Sequence, residues 1–196
     1  MSKKKMIPFL AVFSAVVAVV SFLPVRTMGL EITLSMVPVA VGAICFGPAA
    51  GAWLGGVFGL VSFLQCLGWS PFGAALLAIN PWFTLLVCLP TRILAGWLTG
   101  WIFKGLSRTE IGKRFGYPVA SFSAAVLNTA FFMSTLVLLF YQTDFIQGFV
   151  TGLGAANPFV FVLLFVGING LVEIAAGFLL ATPCAIAVDR VLNRRK

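Results

Sequence analysis

The chain contains no histidine. Without imidazole there is no His ligand for zinc, and no Ser–His or Cys–His couple to activate a nucleophile. Acids are nearly as scarce, at 5 Asp and Glu in 196 residues. Glu31, Glu110 and Asp144 fall in connections on differing sides of the apolar runs. The clustered carboxylates that a lipid-modifying enzyme requires therefore do not form, and an enzymatic role is not expected. Charged residues make up only 9% of the sequence, against roughly 25% in a soluble domain. Hydrophobic residues account for 61% and the mean hydropathy is +1.09, so too little polar surface exists to face water. The chain must face lipid. Cys45, Cys66, Cys88 and Cys184 are scattered through apolar segments without C-x-x-C spacing and read as small buried packing residues. No site for a metal or cofactor emerges, and no residue reads as catalytic.

What the sequence does have is basic residues between long apolar runs. Lys and Arg number 13 and the formal net charge is +8. A nucleic-acid partner is not expected, because no folded polar domain offers a basic patch. A bilayer core of about 30 Å takes about 20 apolar residues as a helix. By that ruler the chain forms an all-α integral membrane protein, a bundle of six transmembrane helices near 6–24, 33–46, 49–67, 81–103, 118–142 and 157–187. These make one transmembrane domain over 1–196. The first run has a basic flank like a signal peptide, but its core is long and no A-x-A-type cleavage site follows, so it reads as a retained span. The second is short and Pro38 interrupts it, so spans two and three are either two crossings or a re-entrant hairpin. Lys3–Lys5, the segment Lys104–Arg114 and the tail from Arg190 hold eleven of the 13 basic residues. All lie on one side if both termini are cytoplasmic, as the positive-inside rule requires. The outer connections are then 25–33, 66–80 and 142–157, long irregular loops of the kind that cover a functional site.

Within "GPAAGAWLGGVFG", Gly47, Gly51, Gly55 and Gly59 recur every four residues. Helices in lipid gain no hydrophobic energy by associating, so they rely on close contact between small residues. The stripe therefore predicts tight backbone packing of the third span against a neighbour, with Gly96 and Gly100 as its counterpart. Ala11 and Ala15, followed by Ala18, form a second small-residue pair in the first span.

Charges inside a span cost about 2.5–3.5 kcal/mol each on insertion scales and mark function by default. Arg92 in "LPTRILAGW" lies about 16 Å below the boundary at Pro81. Glu173 and Asn169 in "INGLVEIAAG" lie about 24 Å and about 18 Å from Asn157. Asn169 and Glu173 share a helix face, and Asn128 lies at comparable depth. Four polar groups on three helices are thus expected to meet. Either Arg92 and Glu173 neutralise one another while the asparagines cross-link helices, or the Arg92 guanidinium holds a ligand carboxylate by two parallel hydrogen bonds. Nearer the surface, Asn80, Trp82, Tyr141, Gln142 and Asn157 offer aromatic walls and amides for a small polar molecule, or serve as interfacial anchors.

The block "ITLSMVPVAVGAICFGPAAGAWLGGVFGLVSF" resembles helices two and three of the substrate-binding (S) components of energy-coupling factor (ECF) vitamin transporters, with their GP-x-x-GA signature. "LPTRILAGWLTGWIFKGL" looks like their fourth helix. "SPF", "LNTAFFM" and "NPFVFVLLFVGINGLVE" are most similar to the pantothenate type, with the folate type next. The resemblance implies a vitamin site open to the outside, and the polar and aromatic residues singled out above, Arg92, Asn128, Asn80, Trp82, Tyr141, Asn157, Asn169 and Glu173, are its candidate residues. It also implies Ala11 and Ala15 as the docking pair for a transmembrane coupling subunit, and two ATPases as further partners in a bacterial cell membrane. Other vitamins, such as folate or riboflavin, are alternatives. A self-sufficient proton-coupled carrier using Glu173 is a further one, but such carriers often carry internal repeats, and none is evident.

Overall fold

Proline and a short polar residue set most of the helix starts. The computed structural model describes residues 3–23, 26–27, 30–31 and 34–193, and in it four helices begin with Pro at the first helical position. Proline's fixed φ suits that position, and its missing N–H has no partner there to lose. These four are α3 (Pro48–Gln65), α4 (Pro71–Ile79), α5 (Pro81–Leu106) and α8 (Pro158–Ala176). Ser70, Asn80 and Asn157 precede three of them as N-caps. Each side-chain oxygen accepts from backbone N–H groups of the first turn, Asn80 Oδ1 from Trp82 at 3.0 Å and Phe83 at 3.1 Å, Asn157 Oδ1 from Val160 at 2.9 Å. Thr109 and Thr143 cap α6 (Glu110–Phe140) and α7 (Asp144–Gly152) in the same manner. The chain also forms α1 (Lys3–Ser21), a two-rung antiparallel ribbon of β1 (Arg26–Thr27) and β2 (Leu30–Glu31), α2 (Met36–Phe46), a π-turn over Gly177–Ala181, and α9 (Thr182–Asn193).

Pro48–Gln65, Pro81–Leu106, Phe115–Phe140 and Gly170–Leu192 are long and apolar enough to cross a membrane. Met6–Ser21, Met36–Phe46 and Pro158–Gly167 are shorter apolar helices. Several sequence-based expectations change here. Pro38 does not interrupt α2, because it falls in the first turn, where its missing N–H breaks no ladder bond. The connections 66–80 and 142–157 are not irregular loops. They hold α4 and α7, each with a capped start. The last apolar run is not a single straight helix: Gly167 takes φ +35°, ψ −126° inside α8, a break that glycine permits, and the π-turn follows. Cys184 is exposed, although Cys66 and Cys88 are buried as expected. The tail residues Arg194, Arg195 and Lys196 lie outside the described residues.

The glycine stripe packs as its spacing predicts. A methyl group on Gly51 would strike the Gly96 carbonyl, one on Gly55 the Arg92 carbonyl, and one on Gly59 the Cys88 carbonyl at 2.8 Å. A methyl group on Gly100 would lie 2.6 Å from the Pro48 Cα. α3 and α5 therefore touch backbone to backbone along their length. Gly47, at φ +92°, reverses the chain from α2 into α3 in one residue, a conformation side-chain-bearing residues rarely adopt.

Two apolar clusters follow from this arrangement. The first gathers Val17 of α1, Val39 and Ile44 of α2, Leu54 and Phe58 of α3, Ala95 of α5 and Ala185 of α9. The second lies at the end carrying α4 and α7, and includes Leu76, Val87, Met133, Phe140, Ile146, Phe161 and Phe165. Phe72 of α4 links it across α7 and α8, with ring centroids 5.6 Å from Phe145 and 5.6 Å from Phe165. Tyr117 Oη donates to Asp189 Oδ2 at 2.7 Å and ties α6 to α9 near the Gly47 end.

Candidate functional site

Arg92 occupies the seam between the two clusters. α5 places it there because Gly55 lets α3 rest on the Arg92 carbonyl itself. Only 6% of the residue is exposed, so the guanidinium points into the bundle and not into the hydrocarbon. It folds back along α5, where Nη1 donates to the Val87 carbonyl at 3.0 Å and to Thr91 Oγ1 at 3.3 Å. The rings of Phe58 on α3 and Phe132 on α6 lie 4.9 Å and 5.0 Å from its central carbon. Nε has no hydrogen-bond partner among the described residues. A buried donor left unpaired costs about 1–3 kcal/mol, more when charged, so this vacancy is an invitation to an acceptor.

Asn128 supplies the complementary vacancy. It is buried on α6, and its Oδ1 lacks a partner among the described residues. It stands four residues before Phe132, on the same face of α6. Next to it, Thr129 Oγ1 donates to Glu173 Oε2 at 3.4 Å, joining α6 to α8. α6 thus reaches Glu173 through Thr129, the neighbour of Asn128, and Arg92 through Phe132, one turn further on. The side chain of Asn169 lies outside the described residues.

A family model described as "ECF transporter, substrate-specific component" matches residues 5–185. The chain belongs to that family. It is 28% identical over 208 aligned positions to "Pantothenic acid transporter PanT" of Lactococcus lactis subsp. cremoris (strain MG1363), covering 98% of this chain and 97% of that protein. It is also 28% identical over 176 positions to "Pantothenate transporter PanT" of Leuconostoc mesenteroides subsp. mesenteroides, covering 85% of this chain and 79% of that protein. The family consists of transporter components, not enzymes, and its apolar helices make this S component a multi-pass protein of the bacterial membrane.

The other candidate residues of the S component sit at the α4/α7 end. Asn80 and Asn157 use their Oδ1 atoms to cap α5 and α8, which leaves their amide N–H groups for another partner. Trp82 is exposed at the start of α5. Tyr141 ends α6, its ring 6.1 Å from Phe161, while its backbone carbonyl accepts from Gln147 Nε2. On α1, Ala11 and Ala15 are both exposed, beside Val12, Val16 and Val19. The opposite face of α1 carries Leu10, Phe13 and Val17 into the first cluster.

Sequence reasoning missed the aromatic surroundings of Arg92. Phe58 and Phe132 drew no notice because phenylalanine in a membrane helix reads as lipid-facing or core. The available signal was register: Phe58 follows Gly55 by three residues, and Phe132 follows Asn128 by four. The buried thiols of Cys66 and Cys88, 4.0 Å apart between α3 and α5, were likewise invisible to spacing rules.

Proposed function

We propose that this chain is the membrane-embedded substrate-binding subunit of an ATP-driven ECF vitamin importer, and that it binds pantothenate at a site open to the outside. The observation that carries the reading is the Nε of a buried Arg92 on α5 and the Oδ1 of a buried Asn128 on α6, both without a hydrogen-bond partner among the described residues. One vacancy calls for an anion and the other for a hydroxyl or amide N–H. Pantothenate carries a carboxylate, hydroxyls, an amide and a dimethyl carbon, so the phenylalanine-rich cluster matches its remaining apolar part. The printed names of two relatives aligned over most of the chain support the same substrate.

In this reading α1, α2, α3, α5, α6 and the α8–α9 run make six crossings, both termini are cytoplasmic, and the α4/α7 end faces outward. Arg92 takes the carboxylate, and Asn128 and Glu173 take polar hydrogens, with Asn169 one turn before Glu173. Asn80, Trp82, Tyr141 and Asn157 line the entry. A transmembrane coupling subunit docks on the Ala11 and Ala15 face, and two ATPases on separate chains supply the energy.

Purified protein without ATP is expected to bind pantothenate with sub-micromolar affinity, read by quenching of the exposed Trp69 and Trp82. Arg92→Ala removes two charge-assisted hydrogen bonds and should weaken binding by at least about a hundredfold, since each contributes roughly 1.5–3 kcal/mol. Unchanged affinity in that variant would remove Arg92 from the site. Tight binding of folate or riboflavin in place of pantothenate would overturn the substrate while leaving the importer role. Proton-driven uptake by this chain alone, in vesicles without ATP, would overturn the coupling.

A further inference from the structure

The Arg92 guanidinium is held by rings as well as by hydrogen bonds. Phe58 and Phe132 come from different helices, yet both centroids fall about 5 Å from the same carbon, inside the roughly 6 Å range of cation–π attraction. A ring attracts the face of a planar cation and offers no in-plane acceptor. Among the described residues the guanidinium's hydrogen bonds are those of Nη1. These contacts hold the central carbon and Nη1, and leave Nε without a partner among the described residues. The edge bearing Nε is the one a carboxylate can take with two parallel bonds.

The clamp depends on helix packing. Gly55 touches the Arg92 carbonyl, and Phe58 lies one turn further along α3. Any retreat of α3 from α5 withdraws the ring from the guanidinium. Phe132 is placed by α6, on the face that also carries Asn128. The glycine stripe therefore does more than seal two helices: it sets the height of one jaw.

We propose that Phe58 and Phe132 are positioning residues for substrate recognition, holding the Arg92 guanidinium so that its Nε edge meets the ligand carboxylate. This rests on the reading of Arg92 as the carboxylate site. The discriminating probe pair is pantothenate and pantothenol, which share every apolar group and differ only by carboxylate against alcohol. Phe132→Leu and Phe58→Leu should each lower pantothenate affinity about tenfold, because the guanidinium must then be ordered on binding, while pantothenol affinity shifts by less than about twofold. Phe132→Tyr, which keeps a ring, should restore the preference for the carboxylate. Retained pantothenol binding shows that the Leu variants are folded. If each Leu variant lowers both ligands equally, the rings are an apolar wall and the positioning role is overturned. The same holds if neither ligand responds while Arg92→Lys still abolishes the carboxylate preference. If Arg92→Lys itself leaves that preference intact, the underlying carboxylate reading fails, and the clamp with it.

Discussion

Adding a single methyl group at Gly51 probes the contact on which the bundle is built. A Cβ there would lie 2.7 Å from Ala43 Cβ and 2.8 Å from the Gly96 carbonyl carbon, with the carbonyl oxygen nearer still. Carbon atoms pack best at about 3.5–4.0 Å, so α3 and α5 must part by roughly 0.7–1 Å. Most of the obstacle is backbone, and no rotamer change relieves it. A gap of that size forfeits about a quarter to a half of each dispersion contact of ~0.1–0.2 kcal/mol. The loss runs along the seam to Gly55 and Gly59, giving a total of about 1–3 kcal/mol, as in overpacked cores. Alanine's better helix propensity opposes this by at most about 1 kcal/mol. Gly148→Ala isolates that opposing effect, because nothing lies within 4 Å of the added carbon. Melting would be followed in detergent by far-UV circular dichroism, where each kcal/mol moves Tm by roughly 2–4 °C in a chain of this size. Gly51→Ala should melt below the wild type and Gly148→Ala at or above it. A Gly51→Ala protein as stable as the Gly148→Ala control would refute backbone packing as the basis of the α3–α5 seam.

Three further outcomes follow from single contacts. Asn80→Asp keeps the oxygen that caps α5 and should leave Tm unchanged, whereas Asn80→Ala should cost about 1 kcal/mol; pantothenate binding that survives Asp would show that the Asn80 amide N–H groups do not touch ligand. Tyr117→Phe deletes the 2.7 Å bond to Asp189 and should lower stability by about 1 kcal/mol, checked by the same melts; no change would mean that this bond does not tie α6 to α9. Ala15→Leu, or Ala11→Leu, on the exposed face of α1 should leave ligand binding by the isolated chain intact while stopping uptake in cells that carry the partner subunits, and normal uptake would reject the docking role.

Composition and periodicity alone were enough to establish a lipid-facing, helical chain, because 9% charged residues cannot coat a water-soluble surface. The four-residue glycine spacing was equally legible. It is a local property of one helix, and close packing in lipid has few other solutions. Arg92, Asn128 and Glu173 stood out because polar groups inside apolar spans are costly wherever they point. Other features depended on which helices become neighbours. That Phe58 and Phe132 converge on Arg92 is a relation among α3, α5 and α6, and no one-dimensional pattern encodes it. The helices inside 66–80 and 142–157, and the break at Gly167, were likewise decided by tertiary structure. Short apolar segments fit several local conformations, and here α4 and α7 become helices by closing the phenylalanine cluster beneath them. Sequence thus determined the solvent, the helices and the suspect polar groups. Only the packed bundle decided which side chains hold Arg92, because contacts between distant residues arise from the geometry of the whole and not from spacing along the chain.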